Sequence, residues 1–195
     1  MTVMASERKE AFAAAAEQEL ESLCSRGVRI AGNAFSPVVL VKGDLDEAER
    51  AGGELLAGPD GKALRSALST IGWEPEDFCA LSAVAGEGDL SADPVLAPGD
   101  VLTVDLFREA VEALDPEAII LLDNTAADLL RETYADALAI IEDFNTAMLM
   151  PGLVAQVLGR RVLVLDGFEA SLTDPREKQR MWAYLKQLPP LGAPY

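Results

Sequence analysis

Four short apolar runs constrain this chain more than any other feature: Val38–Val41, Phe78–Val84, Ala118–Leu122 and Val162–Leu165. The first is uninterrupted and largely β-branched, the pattern of a strand buried on both faces. A helical pattern follows each run. Strands alternating with helices imply a parallel sheet covered on both faces. Such sheets place their sites at the carboxyl ends of the strands. Attention therefore falls on the polar loop from Lys42 to Ala57, and on Gly58-Pro59-Asp60-Gly61, which opens the next helix.

The remaining elements follow in order. Ser6–Cys24 reads as an alanine-rich helix with Phe12, Leu20 and Leu23 as its larger apolar positions. Pro59–Ile71 is a helix stopped by Gly72, and Trp73–Asp77 is a turn. Gly86–Gly99 reads as a long surface loop. Asp100–Leu114 is amphipathic and is broken by Asp115-Pro116. Asn124-Thr125 can cap the helix Ala126–Glu132. Ala135–Met148 has helical spacing. Pro151-Gly152 is a turn, Asp166–Asp174 is a loop, and Pro175–Leu188 is a final helix with proline at its start. Met181, Trp182 and Leu185 form its core side. Residues 1–195 are expected to form a single domain: an N-terminal helix and loop (1–36), a core (37–188) and an irregular tail (189–195).

Composition narrows the function. Hydrophobic residues make up 50% of the chain, which argues against general disorder. No apolar run reaches the roughly 18 residues that a membrane span needs. The acids within the first helix argue against a signal peptide, so a cytoplasmic location is expected. Cys24 and Cys79 are too few for a disulfide scaffold or a four-cysteine metal site. No histidine occurs, which removes the usual acid–base group near neutrality. The net charge of −17 disfavours DNA, whose phosphates are bound by Lys and Arg. The basic residues are scattered, with tight groups only at Arg160-Arg161 and Arg176, Lys178 and Arg180.

Three blocks carry a resemblance to a known family. The first is VVLVKGDLD (Val38–Asp46) followed, after residues 47–57, by GPDGKAL (Gly58–Leu64). The second is LDPEAIILLDNTAADLL (Leu114–Leu130), and the third is RRVLVLDGFEASLTDPREKQRMWAYLKQL (Arg160–Leu188). In order and spacing they resemble the uracil-DNA glycosylases, most of all the iron–sulfur-containing family four. The resemblance covers most of the chain from Val38 to Leu188. It implies an α/β fold, a three-layer α/β/α sandwich with a central four-stranded parallel sheet.

The same resemblance implies that the working groups are gone. That family flips a base from the duplex, stacks it on an aromatic ring and stabilises the charge leaving with it. Gly43 falls where the catalytic glutamate is expected, Leu45 where a proline is, and Asp46 where a glycine is. Leu56 falls on the stacking phenylalanine and lacks a flat π face. Ser82 falls on the base-reading asparagine and lacks an amide's donor–acceptor pair. Gly167, Phe168 and Glu169 fall on the H-P-S loop; Gly167 has no donor, and Glu169 places a negative charge where phosphate would lie. Thr103 stands at a cluster-cysteine position, so no iron–sulfur cluster is expected.

Uracil excision is therefore expected to be absent and no catalytic residue, metal or cofactor is assigned. The leading expectation is a non-catalytic module, a pseudoenzyme, acting through a protein partner. A second expectation is a repurposed pocket for a small nucleobase-like or nucleoside-like ligand. In it Asp44, Asp46, Asp166 and Glu169 would meet at the strand ends as acid, base or cation ligands. A third is an acidic surface that mimics nucleic acid. Phe168 is expected to plug the old pocket, and the deciding feature is whether the cleft bounded by Asp44, Leu56, Ser82 and Gly167 is open. Gly58–Gly61 is expected to make a turn, because Asp60 disfavours an anion there. Trp73 is expected to pack in the core, and Cys79 to be buried and inert.

Overall fold

The alanine-rich opening forms helix α1 (Thr2–Ser25) in the computed structural model, which describes residues 2–74, 78–93 and 95–192. Then come β1 (Ile30–Gly32), β2 (Val38–Lys42), α2 (Glu47–Arg50), α3 (Pro59–Thr70) and β3 (Phe78–Ser82). Next are α4 (Val104–Leu114), β4 (Ala118–Leu121), α5 (Asn124–Thr133), α6 (Ala135–Leu138) and α7 (Phe144–Ala147). The chain closes with β5 (Val154–Val157), β6 (Arg160–Val164), α8 (Phe168–Ser171) and α9 (Pro175–Leu185).

The expected sheet of four parallel strands is instead a mixed sheet of six, in the order β1-β3-β2-β4-β6-β5. Its inner strands β3, β2, β4 and β6 run parallel, and each is buried along its length. The two edge strands, unforeseen in the sequence, run antiparallel to their neighbours. Both are short, and β5 alternates in burial because one face meets solvent. Leu158 and Gly159, both at positive φ, turn β5 into β6, the backbone a tight hairpin needs.

Alternation along the strands divides the core. Val39, Val41, Leu81, Ile119, Leu121 and Val162 face α4, α5 and the end of α1. Val38, Leu40, Ala80, Ile120 and Leu163 face α3, α8 and α9. Helices thus cover both faces. Helix α4 begins later than expected, at Val104, because Thr103 Oγ1 accepts a hydrogen bond from Leu106 N and caps it. Its end matches the expected break, with Asp115 left-handed before Pro116. The single helix expected over Ala135–Met148 is two short turns, α6 and α7, because Asp143 caps a new one. The expected turn over Trp73–Asp77 and the tail lie partly outside the described residues, at 75–77 and 193–195. Among the described residues no helix is long and apolar enough to cross a membrane.

Candidate functional site

From β2 the chain crosses through α3 to β3 on one side, then returns through α4 to β4 on the other. The connection therefore changes direction between β2 and β4, the place where open α/β sheets admit ligands. At the carboxyl ends of these strands stand Gly43 and Asp44 on one side and Asp123 on the other. Asp123 is 5% exposed. Its Oδ2 accepts hydrogen bonds from Gly43 N at 2.8 Å and Asp44 N at 2.9 Å. Its Oδ1 accepts from Ala126 N at 2.9 Å and caps α5, so the expected caps Asn124 and Thr125 lie within the helix. Backbone amides that would suit an incoming anion are thus taken by the chain's own carboxylate.

Lys42, the last residue of β2, is the second centre. It is buried, with Nζ 2.7 Å from Asp60 Oδ2, 2.8 Å from Glu49 Oε2 and 3.3 Å from Glu169 Oε2. Local structure holds each partner. Asp46 and Glu49 form a reciprocal capping box that winds α2. Glu49 Oε1 also accepts from Leu56 N at 2.8 Å. Asp60 sits in the first turn of α3 and accepts from Gly61 N. Burial opposes the Lys42 ammonium, but hydrogen bonds with Asp60 and Glu49 outweigh it and raise its pKa above the ordinary lysine value. A lysine held charged this firmly is no nucleophile.

A cavity of about 440 Å³ opens above these groups, and Lys42, Asp44, Asp60, Asp123, Gly167, Phe168 and Glu169 are among its lining residues. Four carboxylates face one ammonium there, so the mouth is acidic. The structure brings Asp44 and Gly167 to this cavity but not Leu56 or Ser82. Leu56 is fully buried in the apolar layer beside α3, at a φ of 56°. Ser82 is fully buried because its Oγ donates to Val84 O at 2.7 Å and accepts from Val84 N at 3.1 Å, closing the end of β3. Leu56 and Ser82 therefore do not bound a cleft with Asp44 and Gly167. Phe168 is 4% exposed and packs with the core while lining the cavity floor.

The four carboxylates expected to converge are also divided. Asp44 and Glu169 share the cavity, and Asp44 Oδ1 accepts from Thr125 Oγ1. Asp46 serves as a helix cap, and Asp166 lies 3.8 Å from Arg180. Among the described residues no group of three or more His, Cys, Asp or Glu side chains is placed to hold a metal ion. The two glycines at former site positions differ. A Cβ on Gly43 would lie 2.5 Å from Thr125 Cβ, whereas one on Gly167 would meet nothing within 4 Å.

The sequence reading passed over Lys42, Glu49, Asp60 and Asp123 as site residues. The D-x-x-E spacing of Asp46 and Glu49 was a legible capping signal. So was an acid directly after a buried strand, at Asp123. No family model matches this chain. No curated protein matches it either.

Proposed function

We propose that the chain carries a uracil-DNA glycosylase-like scaffold, a three-layer α/β/α sandwich, that no longer excises a base and binds a protein partner with a basic surface. Support for the scaffold comes from the four inner parallel strands with helices on both faces. The observation that carries the functional reading is the closed polar network at the strand ends. Asp123 occupies the amides of Gly43 and Asp44, and Lys42 is neutralised by buried Glu49 and Asp60. Gly167 offers no side-chain donor to an oxyanion, and Gly43 has no room for a catalytic acid. The remaining mouth is acidic, which repels phosphate and attracts cationic side chains.

Two measurements test this. Incubation with uracil-containing single- and double-stranded DNA at enzyme excess is expected to give no abasic product, and product formation would overturn the reading. A labelled lysine-rich peptide is expected to bind at low salt, and more weakly as salt rises. Asp44→Lys should weaken that binding more than the equal charge change Glu21→Lys on distant α1. Equal losses would place recognition in the overall charge and not in the mouth.

The cavity volume favours a second reading, a small ligand held between Asp44 and Glu169. A thermal-shift screen with nucleobases and nucleosides is expected to raise Tm under that reading, and flat responses remove it.

A further inference from the structure

Helix α1 carries a stripe of apolar, small and oppositely charged residues that the body covers at only one end. Leu23 is fully buried against the sheet layer, and Leu20 packs at its edge. From Glu7 to Ala15 every residue is exposed, and Phe12 is 75% exposed. Lys9, Phe12, Ala16, Glu19 and Leu23 recur at alternating spacings of three and four and so share one face, with Phe12 as the large apolar side chain in its uncovered part. Most other acids of the helix, Glu10, Glu17 and Glu21, fall on the opposite side. A lone projecting helix is marginal in water, and most helical stability comes from packing an apolar face.

We propose that the uncovered part of α1 pairs, antiparallel, with α1 of a second copy of this chain. Charge complementarity selects both occupant and direction. Lys9 and Glu19 bracket the exposed part of the stripe. Antiparallel pairing sets Lys9 against Glu19 of the second copy and Phe12 against its Ala16. A large ring then meets a small side chain, and each charge meets its opposite, twice by symmetry. Parallel pairing would set Lys9 on Lys9, Phe12 on Phe12 and Glu19 on Glu19. The contact is shorter than a standard interface of about 1,600 Å², so the dimer dissociates on dilution. Pairing does not depend on how the mouth is read, because α1 contributes nothing to that cavity.

Sedimentation equilibrium of the full chain at moderate salt tests the pairing. The wild type is expected to pass from monomer to dimer as concentration rises through the micromolar range. Phe12→Asp should stay monomeric with unchanged Tm, since the ring is exposed. Lys9→Glu should raise the dimer Kd at least tenfold, and adding Glu19→Lys to the same chain should restore it. A wild type monomeric at the highest attainable concentration would overturn the proposal. So would a Phe12→Asp chain that still dimerises, or a charge swap that fails to restore pairing.

Discussion

Buried cations stand at both ends of the sheet, and their surroundings differ. At the carboxyl end, the Lys42 side chain is 4% exposed and its partners Glu49 and Asp60 are 2% and 3% exposed. At the amino end of β6, the Arg160 and Arg161 side chains are 10% and 11% exposed, but their partners Glu112, Asp115 and Glu117 are 45%, 81% and 32% exposed. The arginines reach out to solvated carboxylates, whereas Lys42 and its main partners are sealed inside. Arg161 also donates to Pro189 O at 2.7 Å and lies over Trp73, whose Nε1 donates to Leu188 O. The amino end ties down the chain after α9. The carboxyl end, where open α/β sheets admit ligands, holds its cation inside the fold beneath the cavity.

If desolvation of the partners is what matters, the largest loss follows from emptying the Lys42 site. Lys42→Met leaves Glu49 and Asp60 buried without their cation, and is expected to cost about 3–5 kcal/mol in urea unfolding. Adding Glu49→Gln and Asp60→Asn to the same chain should recover much of that loss, because no uncompensated charge remains. If the triple variant is as unstable as the single one, the ion pair is not the source.

The same site sets an alkaline limit. Folding raises the Lys42 pKa, burial opposing and the carboxylate hydrogen bonds prevailing. Its stabilisation is therefore whole below the unfolded lysine value of about 10.4 and fades as pH rises toward the higher folded value. Tyr134 acts in the same direction, because burial and then its bond to Glu112 raise its pKa. Stability should be insensitive to these groups from pH 6 to 9 and fall above about 10. Thermal melts of Lys42→Met should show a shallower alkaline fall than the wild type.

Asp123→Ala comes next in size. It strips three backbone amides of one carboxylate, including the cap of α5. The expected loss is about 2–3 kcal/mol, read by urea unfolding. Arg160→Leu at the amino end should cost only about 1 kcal/mol, since Glu112 and Asp115 return to water and the arginine stem is replaced by an apolar side chain. A loss equal to that of Lys42→Met would erase the distinction between the two ends.

How much of this was legible depended on which forces act locally. The inner strands were readable because a strand buried on both faces must be apolar throughout, as at Val38–Val41. The edge strands were not, since Ile30–Gly32 is short and Val154–Val157 carries an outward Gln156. The apolar spacing of Leu138, Ile141 and Phe144 over Ala135–Met148 held for the first two, which pack in or against the core, but Phe144 is 72% exposed. At the site, the family resemblance pointed to the loops after β2 and β6, and Asp44, Gly167, Phe168 and Glu169 line one cavity. It said nothing of Lys42, because a lysine ending a strand can as easily extend to solvent as turn inward. Only the fold brings Glu49 and Asp60 onto its ammonium.

The smallest effect belongs to a pair whose cation is more exposed than Lys42 or Arg160, at the junction of α1 and α4. Arg26 holds Glu109 through its two terminal guanidinium nitrogens, at 2.7 and 2.5 Å, with the two side chains 22% and 43% exposed. The hydrogen bond from Arg26 lowers the Glu109 pKa, so the pair stabilises above the unfolded carboxylate range and is lost as pH falls through the folded value. Its geometry is as good as that of the Arg160 pair, but both members can return to water. Arg26→Gln is therefore expected to cost no more than about 0.5 kcal/mol, measured by urea unfolding at pH 7 and shrinking as pH falls through the carboxylate range. If geometry and not desolvation ranked these pairs, this bidentate contact would match Arg160. A loss of similar size in the two variants would assign the difference between the ends of the sheet to something other than solvent.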